Sequence, residues 1–249
     1  MSASVRLLAP AKLTWTLRVT GVRPDGYHLI DAEMISLDLA DRITITPSDT
    51  TVISVDGPFA DGVPTDGRNL CHRALDLAGL TAHVHIDKTI PHGGGLGGGS
   101  TDAAAVLRWA GVDDAADAAR IGADVPFCLH GGRARVTGIG EVIERLDHID
   151  RTVTLVVPPL TVSTPAVYRA WDDLGGPTAA GPNDLEPAAL VVEPALRRWR
   201  DLIGDRCGVT PTLAGSGATW FVVGRRDDAL ADLVDEGALV TVAASTAGY

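Results

Sequence analysis

Apolar and polar residues alternate over much of residues 5–19, Val5-Arg6-Leu7-Leu8-Ala9-Pro10-Ala11-Lys12-Leu13-Thr14-Trp15-Thr16-Leu17-Arg18-Val19, and that period predicts a strand. Pro10 marks an edge or a bulge within it, and Lys12, taken alone, reads as a solvated edge residue. Pro24 and Asp25-Gly26 make 22–28 a turn. Residues 35–45 read as a strand, a polar bend and a second strand. Helical spacing runs through 69–78 and breaks at Gly79. A strand follows over 82–87, with His83 and His85 on one face; with no third ligand in sight they read as solvated. Residues 102–110 have a helical composition, 113–117 read as helix or turn, and 133–136 are strand-like between glycine pairs. A second unit begins after Asp150. It holds a buried strand at 153–157 ended by prolines, a helix from Ser163 to Trp171 with Pro165 in its first turn, and a Gly/Pro/Ala loop at 175–182. A helix at 194–203, a strand at 220–223, a helix at 228–236 and a strand at 240–244 complete it. The pattern predicts an α+β fold in two units, 1–150 and 151–249.

Between the predicted strand at 82–87 and the helix at 102–110 lies Pro91-His92-Gly93-Gly94-Gly95-Leu96-Gly97-Gly98-Gly99-Ser100-Thr101. Six of the seven residues from Gly93 to Gly99 are glycine. Glycine reaches positive φ without a steric penalty, so such a run turns tightly and aims several N–H groups at one point. The following helix adds unpaired N–H groups and the positive end of its dipole. These features predict an anion site, above all for phosphate. A flexible linker is the competing reading, but linkers do not sit between a strand and an Ala-rich helix. The Walker loop is excluded because Gly99 stands where its Lys belongs. Gly93, Gly95 and Gly98 satisfy the dinucleotide G-x-G-x-x-G pattern, and Asp113 lies at a suitable distance. That pattern, however, needs a second parallel strand where 113–117 read as helix or turn.

Composition narrows the choice. The 249 residues suffice for one large or two modest domains, and 45% hydrophobic against 21% charged residues indicates a globular chain. A net charge of −11 argues against nucleic-acid and anionic-membrane binding, so an anionic substrate must be held by local donors. Cys71, Cys128 and Cys207 are isolated, which predicts neither disulfides nor a zinc site and fits a reducing cytoplasm. Met1 to Leu8 lack the apolar core of a signal peptide, and no apolar run approaches the ~20 residues of a membrane span. Asp124, set between small and apolar residues in Ile121-Gly122-Ala123-Asp124-Val125-Pro126-Phe127, reads as either a turn former or a site residue.

Three separated motifs share one resemblance. Pro10-Ala11-Lys12-Leu13, the loop at 91–102 and Leu213-Ala214-Gly215-Ser216-Gly217-Ala218-Thr219 resemble the three motifs of the GHMP kinases. Four more segments narrow the resemblance: Arg23-Pro24-Asp25-Gly26-Tyr27-His28, Leu37-Asp38-Leu39-Ala40-Asp41-Arg42, Gly122-Ala123-Asp124-Val125-Pro126-Phe127 and Asn183-Asp184-Leu185-Glu186. They are similar to the branch that phosphorylates a cytidine-diphosphate-linked methylerythritol in the non-mevalonate isoprenoid pathway. The likeness runs in matching order from about residue 5 into the C-terminal region.

The resemblance implies a two-domain α+β GHMP kinase fold with the active site in the interdomain cleft. It implies ATP and Mg²⁺, transfer of the γ-phosphoryl group to a tertiary 2-hydroxyl, and a cytoplasmic enzyme that is a monomer or weak homodimer. By this likeness Asp124 is the catalytic acid/base and Lys12 its partner. Residues 91–101 hold the ATP phosphates, with Gly215, Ser216 and Gly217 of the third motif nearby. Tyr27, His28 and Tyr168 hold the cytidine end, with the two tyrosines sandwiching the base; the likeness names no metal ligands. Two features depart from the family pattern: Thr14 stands where the first motif usually has Asn, and the segment between Trp109 and Ile121 is short. Another GHMP kinase with a different alcohol, and a low-activity nucleotide-binding paralogue, are the alternatives.

Overall fold

The two long alternating runs at the N-terminus pair with each other. In the computed structural model, which describes residues 3–249, β1 (Val5–Val22) runs antiparallel to β2 (His28–Pro47). Met1 and Ser2, the start of the segment read for a leader peptide, lie outside the described residues. The register slips between Pro10 and Lys12, as the proline predicts, and the Lys12 N–H instead donates to Leu96 O at 3.0 Å. The polar bend expected within 35–45 is absent, and β2 is one strand. Its acidic residues serve neighbouring backbone rather than breaking the ladder. Asp38 accepts from Ala244 N at 2.8 Å, and the fully buried Asp41 accepts from Thr89 N and Ile90 N at 2.6 and 2.8 Å.

β2 is the hub of the first half, pairing antiparallel with β4 (Ala82–Asp87) and β5 (Arg133–Gly138) as well as β1. β3 (Val52–Asp56) runs parallel to β4, the only parallel pair of named strands among the described residues, and β6 (Val142–Leu146) flanks β5. A parallel dinucleotide-binding sheet is therefore excluded. α1 (Leu70–Ala78) starts where Asn69 accepts from Cys71 N at 2.8 Å and ends at a left-handed Gly79. α1 packs beside α2 (Gly98–Ala110), which buries Thr101 through Leu107 without a break. α2 begins four residues before the expected Asp102, directly off the glycine loop. α3 (Ala115–Ala119), capped by Asp114, and α4 (Val125–His130) follow.

In the second half, β7 (Thr152–Val157) lies between β9 (Trp220–Val223) and β10 (Leu239–Thr246), with β8 (Thr212–Leu213) beyond β9. β10 also pairs with β2 through Ser245 and Thr246, so the two halves share a sheet. Ser163 opens α5 (Thr164–Asp173), and α7 (Ala195–Cys207) matches its expected helix. α6 (Glu186–Val192) was not predicted; its seven residues are too few to show a period. The expected helix at 228–236 is a 3-10 helix over Asp228–Val234, whose buried Leu230 and Leu233 lie three residues apart, the repeat that this tighter helix stacks.

A small apolar cluster joins the halves under the glycine loop. Leu96, the one side chain larger than hydrogen among residues 93–99, is 1% exposed and packs with Leu13, Leu37, Leu155 and Phe221. Burying it contributes about 1.5–3 kcal/mol and pegs an otherwise flexible loop to the sheet. His83 and His85 both hydrogen-bond Ser54 Oγ, at 2.9 and 3.0 Å. No group of three metal-ligating residues occurs among the described residues, and no helix among them is long and apolar enough to cross a membrane.

Candidate active site

The glycine loop turns on residues that a side chain would block. Gly97 has φ +69°, and a Cβ there would lie 2.6 Å from Lys12 Cγ; Gly95 has φ +82°, and its Cβ would meet Gly217 O at 2.5 Å. The loop thus passes in contact with both the first and the third motif. Leu96 O accepts from Lys12 N, and Thr219 N donates to Gly94 O at 3.2 Å. Thr101 Oγ1 donates to Pro10 O at 2.7 Å, tying α2 to β1. His92, Gly93, Gly95, Gly97, Gly98, Gly99 and Ser100 line a cavity of about 320 Å³. Pro91, Gly94, Leu96 and Thr101 do not line it; they are the loop's anchors. The first N–H groups of α2 have no partner within the helix, so this cavity is fitted to an anion.

Lys12 and Asp124 meet at its edge. Lys12 Nζ lies 3.3 Å from Asp124 Oδ2 and donates to Thr14 Oγ1 at 3.2 Å. The Lys12 side chain is 7% exposed, and the Asp124 side chain is 33% exposed. The register slip in β1 turns this Lys inward, so it is not the solvated edge residue that its sequence context alone suggests. Asp124 occupies the N-cap position of α4 but makes no cap hydrogen bond, which leaves its carboxylate free for Lys12 and for a ligand. A second cavity, about 160 Å³, contains Lys12, Thr14, Asp124, Gly215 and Ser216. Asn183 Nδ2 donates to Leu213 O at 2.9 Å and Gly215 O at 2.7 Å, which holds the third-motif loop against Lys12.

Tyr27, His28 and Tyr168 line the largest cavity, about 610 Å³. His28 lies against the Tyr168 ring, with centroids 4.6 Å apart and planes tilted by 31°. Its Nε2 donates to Asp172 Oδ1 at 2.8 Å. Tyr27 stands on the rim, 59% exposed, with the Arg23 guanidinium 5.9 Å from its ring centre. The three cavities form a chain. The largest and the smallest share Ala123, Thr164 and Tyr168; the smallest and the loop cavity share Gly95, Asp124 and Thr164. Lys12 and Asp124 stand at the junction.

One buried charge cluster escaped the sequence reading. Lys88 follows β4 and is 1% exposed; its Nζ donates to Asp41 and, at 2.7 Å, to Asp102 Oδ2. Asp102 Oδ1 is buried without a partner, and Lys88 and Asp102 both border the loop cavity. One cation faces two carboxylates here. Burial, opposed by Lys88 and reinforced by the Asp41 carboxylate, pushes the Asp102 carboxyl up to about 8. The available signal was a single Lys between the apolar Ile86 and Ile90 beside a glycine loop. Asn183 was read only as part of a motif, and Arg73, Arg120 and Arg169 on the large cavity carried no local signal.

The chain is similar to known proteins along most of its length. The family described as GHMP kinases N terminal domain matches residues 68–132. A 4-diphosphocytidyl-2-C-methyl-D-erythritol kinase of Paracoccus denitrificans (strain Pd 1222) is 39% identical over 235 residues, covering 87% of this chain and 85% of the relative. The enzyme of the same name from Jannaschia sp. (strain CCS1) is 39% identical over 249 residues, with 88% of each chain covered. A crystal structure of 4-(cytidine 5'-diphospho)-2C-methyl-D-erythritol kinase superposes with a TM-score of 0.77 at 31% identity, over 98% of this chain and 100% of that one. A homoserine kinase from Cytophaga hutchinsonii, at 15% identity and a TM-score of 0.64, shares the fold.

Proposed function

The chain belongs to the 4-diphosphocytidyl-2-C-methyl-D-erythritol kinase family, and from that premise we propose that it transfers the γ-phosphoryl group of ATP to the 2-hydroxyl of 4-diphosphocytidyl-2-C-methyl-D-erythritol. The observation that carries the reading is the junction of three cavities at Lys12 and Asp124. ATP phosphates occupy the loop cavity, the cytidylyl group the largest cavity, and the reacting alcohol lies between them. The two units, 1–150 and 151–249, contribute opposite walls of this cleft. Lys12, Asp124, Tyr27, His28 and the glycine loop come from the first; Tyr168, Gly215, Ser216 and Gly217 come from the second.

Phosphoryl transfer passes through a loose transition state, so the protein chiefly positions groups and offsets charge. A tertiary alcohol is crowded and weakly acidic. Asp124 accepts its proton, and Lys12 holds the carboxylate and the alcohol oxygen in line with the phosphorus. Thr14 keeps a hydrogen bond to the Lys12 ammonium where the family pattern has Asn. Backbone N–H groups of the loop and the start of α2 offset charge on the phosphates without reorganising. Tyr27 and Tyr168 hold the cytosine ring, and His28, oriented by Asp172, reads its polar edge.

Mg²⁺ suits the donors here in its usual manner, carried mainly by phosphates and water with few protein ligands. The Ser100 hydroxyl borders the cavity and is the side chain that would reach it. Bound there, the ion would shield the phosphates. Use of ATP and three unpaired cysteines accord with a cytoplasmic enzyme.

The test is ATP consumption with the cytidylyl alcohol beside homoserine and phosphomevalonate. Turnover of the cytidylyl substrate at a far higher kcat/KM is the expected result. Equal or better turnover of either control overturns the assignment.

A further inference from the structure

Three arginines border the largest cavity. Arg73 comes from α1, Arg120 closes α3, and Arg169 follows Tyr168 on α5. The chain as a whole is acidic, with 21 Lys and Arg against 32 Asp and Glu. This cavity reverses the balance, because Asp172 is its one carboxylate and is already engaged by His28. Arg73 and Arg169 have no carboxylate partner among the described residues, and Arg120 has only an exposed contact with Asp117 at 3.3 Å. Three largely uncompensated guanidinium groups from three separate elements are an unusual set to converge on one concavity of an acidic protein. Such a set is placed to receive an anion that enters the cavity.

Position tells which anion. Arg120 is followed in the cavity wall by Ile121, Gly122 and Ala123, and the next residue is Asp124. Tyr27, His28 and Tyr168 occupy the same cavity. The arginines therefore share one cavity with the aromatic residues, and Arg120 lies four residues before Asp124 in the chain. A cavity of about 610 Å³ has room for a nucleoside and its phosphates, within the roughly 300–1,000 Å³ of small-molecule sites. Guanidinium forks match paired phosphate oxygens, and they stay charged at every working pH.

We propose that Arg73, Arg120 and Arg169 seat the diphosphate of the acceptor substrate and select for a doubly phosphorylated linker between base and alcohol. The proposal rests on the cytidylyl reading above and adds to it the residues that recognise the linker. Arg73 also has a local role, since its Nη2 donates to Arg120 O at 2.9 Å and braces that turn. Arg120 and Arg169 are exposed and have no such role, so their variants carry the test.

The experiment is calorimetric titration of the full chain with cytidine and with CDP at low salt, for wild type, Arg120→Gln and Arg169→Gln. Wild type should prefer CDP over cytidine, and added NaCl should narrow that preference as screening weakens the charges. Each variant should lose CDP affinity by about tenfold, the factor of one charge-assisted hydrogen bond, while its cytidine affinity stays unchanged. In turnover, the KM for the cytidylyl substrate should rise and the KM for ATP should hold. Thermal melts at wild-type temperature certify the fold. An undiminished preference for CDP in both variants overturns the diphosphate seat and leaves the base pocket standing. A wild type that binds neither cytidine nor CDP overturns the acceptor reading and the seat together.

Discussion

The phosphate side and the acceptor side of this cleft are built by different means. The loop cavity takes seven wall residues from one short stretch, 92–100, whose shape depends on missing side chains and on a Leu96 peg, and closes it with residues such as Asn69, Lys88 and Asp124. The acceptor cavity is made of side chains from the β1–β2 turn, α1, α3 and α5, far apart in the chain. Backbone donors are common to all residues, so the first site is specified by where glycine permits the chain to go. The second is specified by what each side chain is. The first should therefore fail through steric change at single positions, and the second should weaken stepwise as individual contacts are removed.

The largest effect is expected where the two regions meet. Asp124→Asn keeps the size of the side chain at a position that makes no cap bond. It should lower kcat by about 10²- to 10⁴-fold, the usual worth of a general base, with both KM values nearly unchanged. Steady-state kinetics would decide this, and a kcat within a few-fold of wild type would remove Asp124 from the chemistry.

Next comes the backbone site. Gly97→Val forces a β-branched residue to φ +69° and drives its Cβ onto Lys12. Strain of about 1–3 kcal/mol plus that collision should weaken ATP by roughly a hundredfold. Gly98 is different: it is already helical, and its Cβ would meet Lys88 Nζ at 2.8 Å and Ile90 Cγ2 at 3.2 Å. Gly98→Val should therefore lower the melting temperature by disturbing the buried Lys88 cluster. ATP titration and melting of both variants separate the cases, and unchanged ATP affinity in folded Gly97→Val would refute a backbone cradle.

The side-chain site should respond more gently. Base–aromatic stacking is worth about 1–3 kcal/mol, so Tyr168→Ala should raise KM for the cytidylyl substrate by ~5- to ~150-fold, with KM for ATP held. Tyr27→Ala should fall at the low end, because Tyr27 is 59% exposed. Contacts remote from the reacting hydroxyl act as uniform binding, so kcat should change less than KM. Loss of ATP affinity with the alcohol KM intact would assign the tyrosine to the other region.

The last effect concerns stability rather than catalysis or binding. The Asp102 carboxyl titrates near 3.8 in an unfolded chain and is raised to about 8 in the fold. Between those values the folded chain keeps a proton that the unfolded chain has released. The contribution of the protonated form is thus fully present below about pH 4 and is lost as pH rises through about 8. Asp102→Asn removes this dependence. The melting temperature of wild type should fall relative to that variant from pH 4 to pH 8; parallel curves would mean that Asp102 is ionised throughout.

Local features were legible in the sequence because neighbours along the chain decide them. Asn69 and Gly79 bound α1, Ser163 and Pro165 open α5, and the glycines within 93–99 let the loop turn, each through backbone geometry set within a few residues. The motifs also identified Lys12 and Asp124, but only through likeness; the pattern alone read Lys12 as solvated and left Asp124 undecided. Tertiary structure decided what those residues are. A register slip turned Lys12 inward to Asp124, and the packing of α2 against β2 buried Lys88 between Asp41 and Asp102. The folding of α1, α3 and α5 around one cavity gathered three arginines. Burial and charge pairing depend on which distant segments come into contact. A strand's period shows which face is apolar, but it does not show what the opposing face will bring.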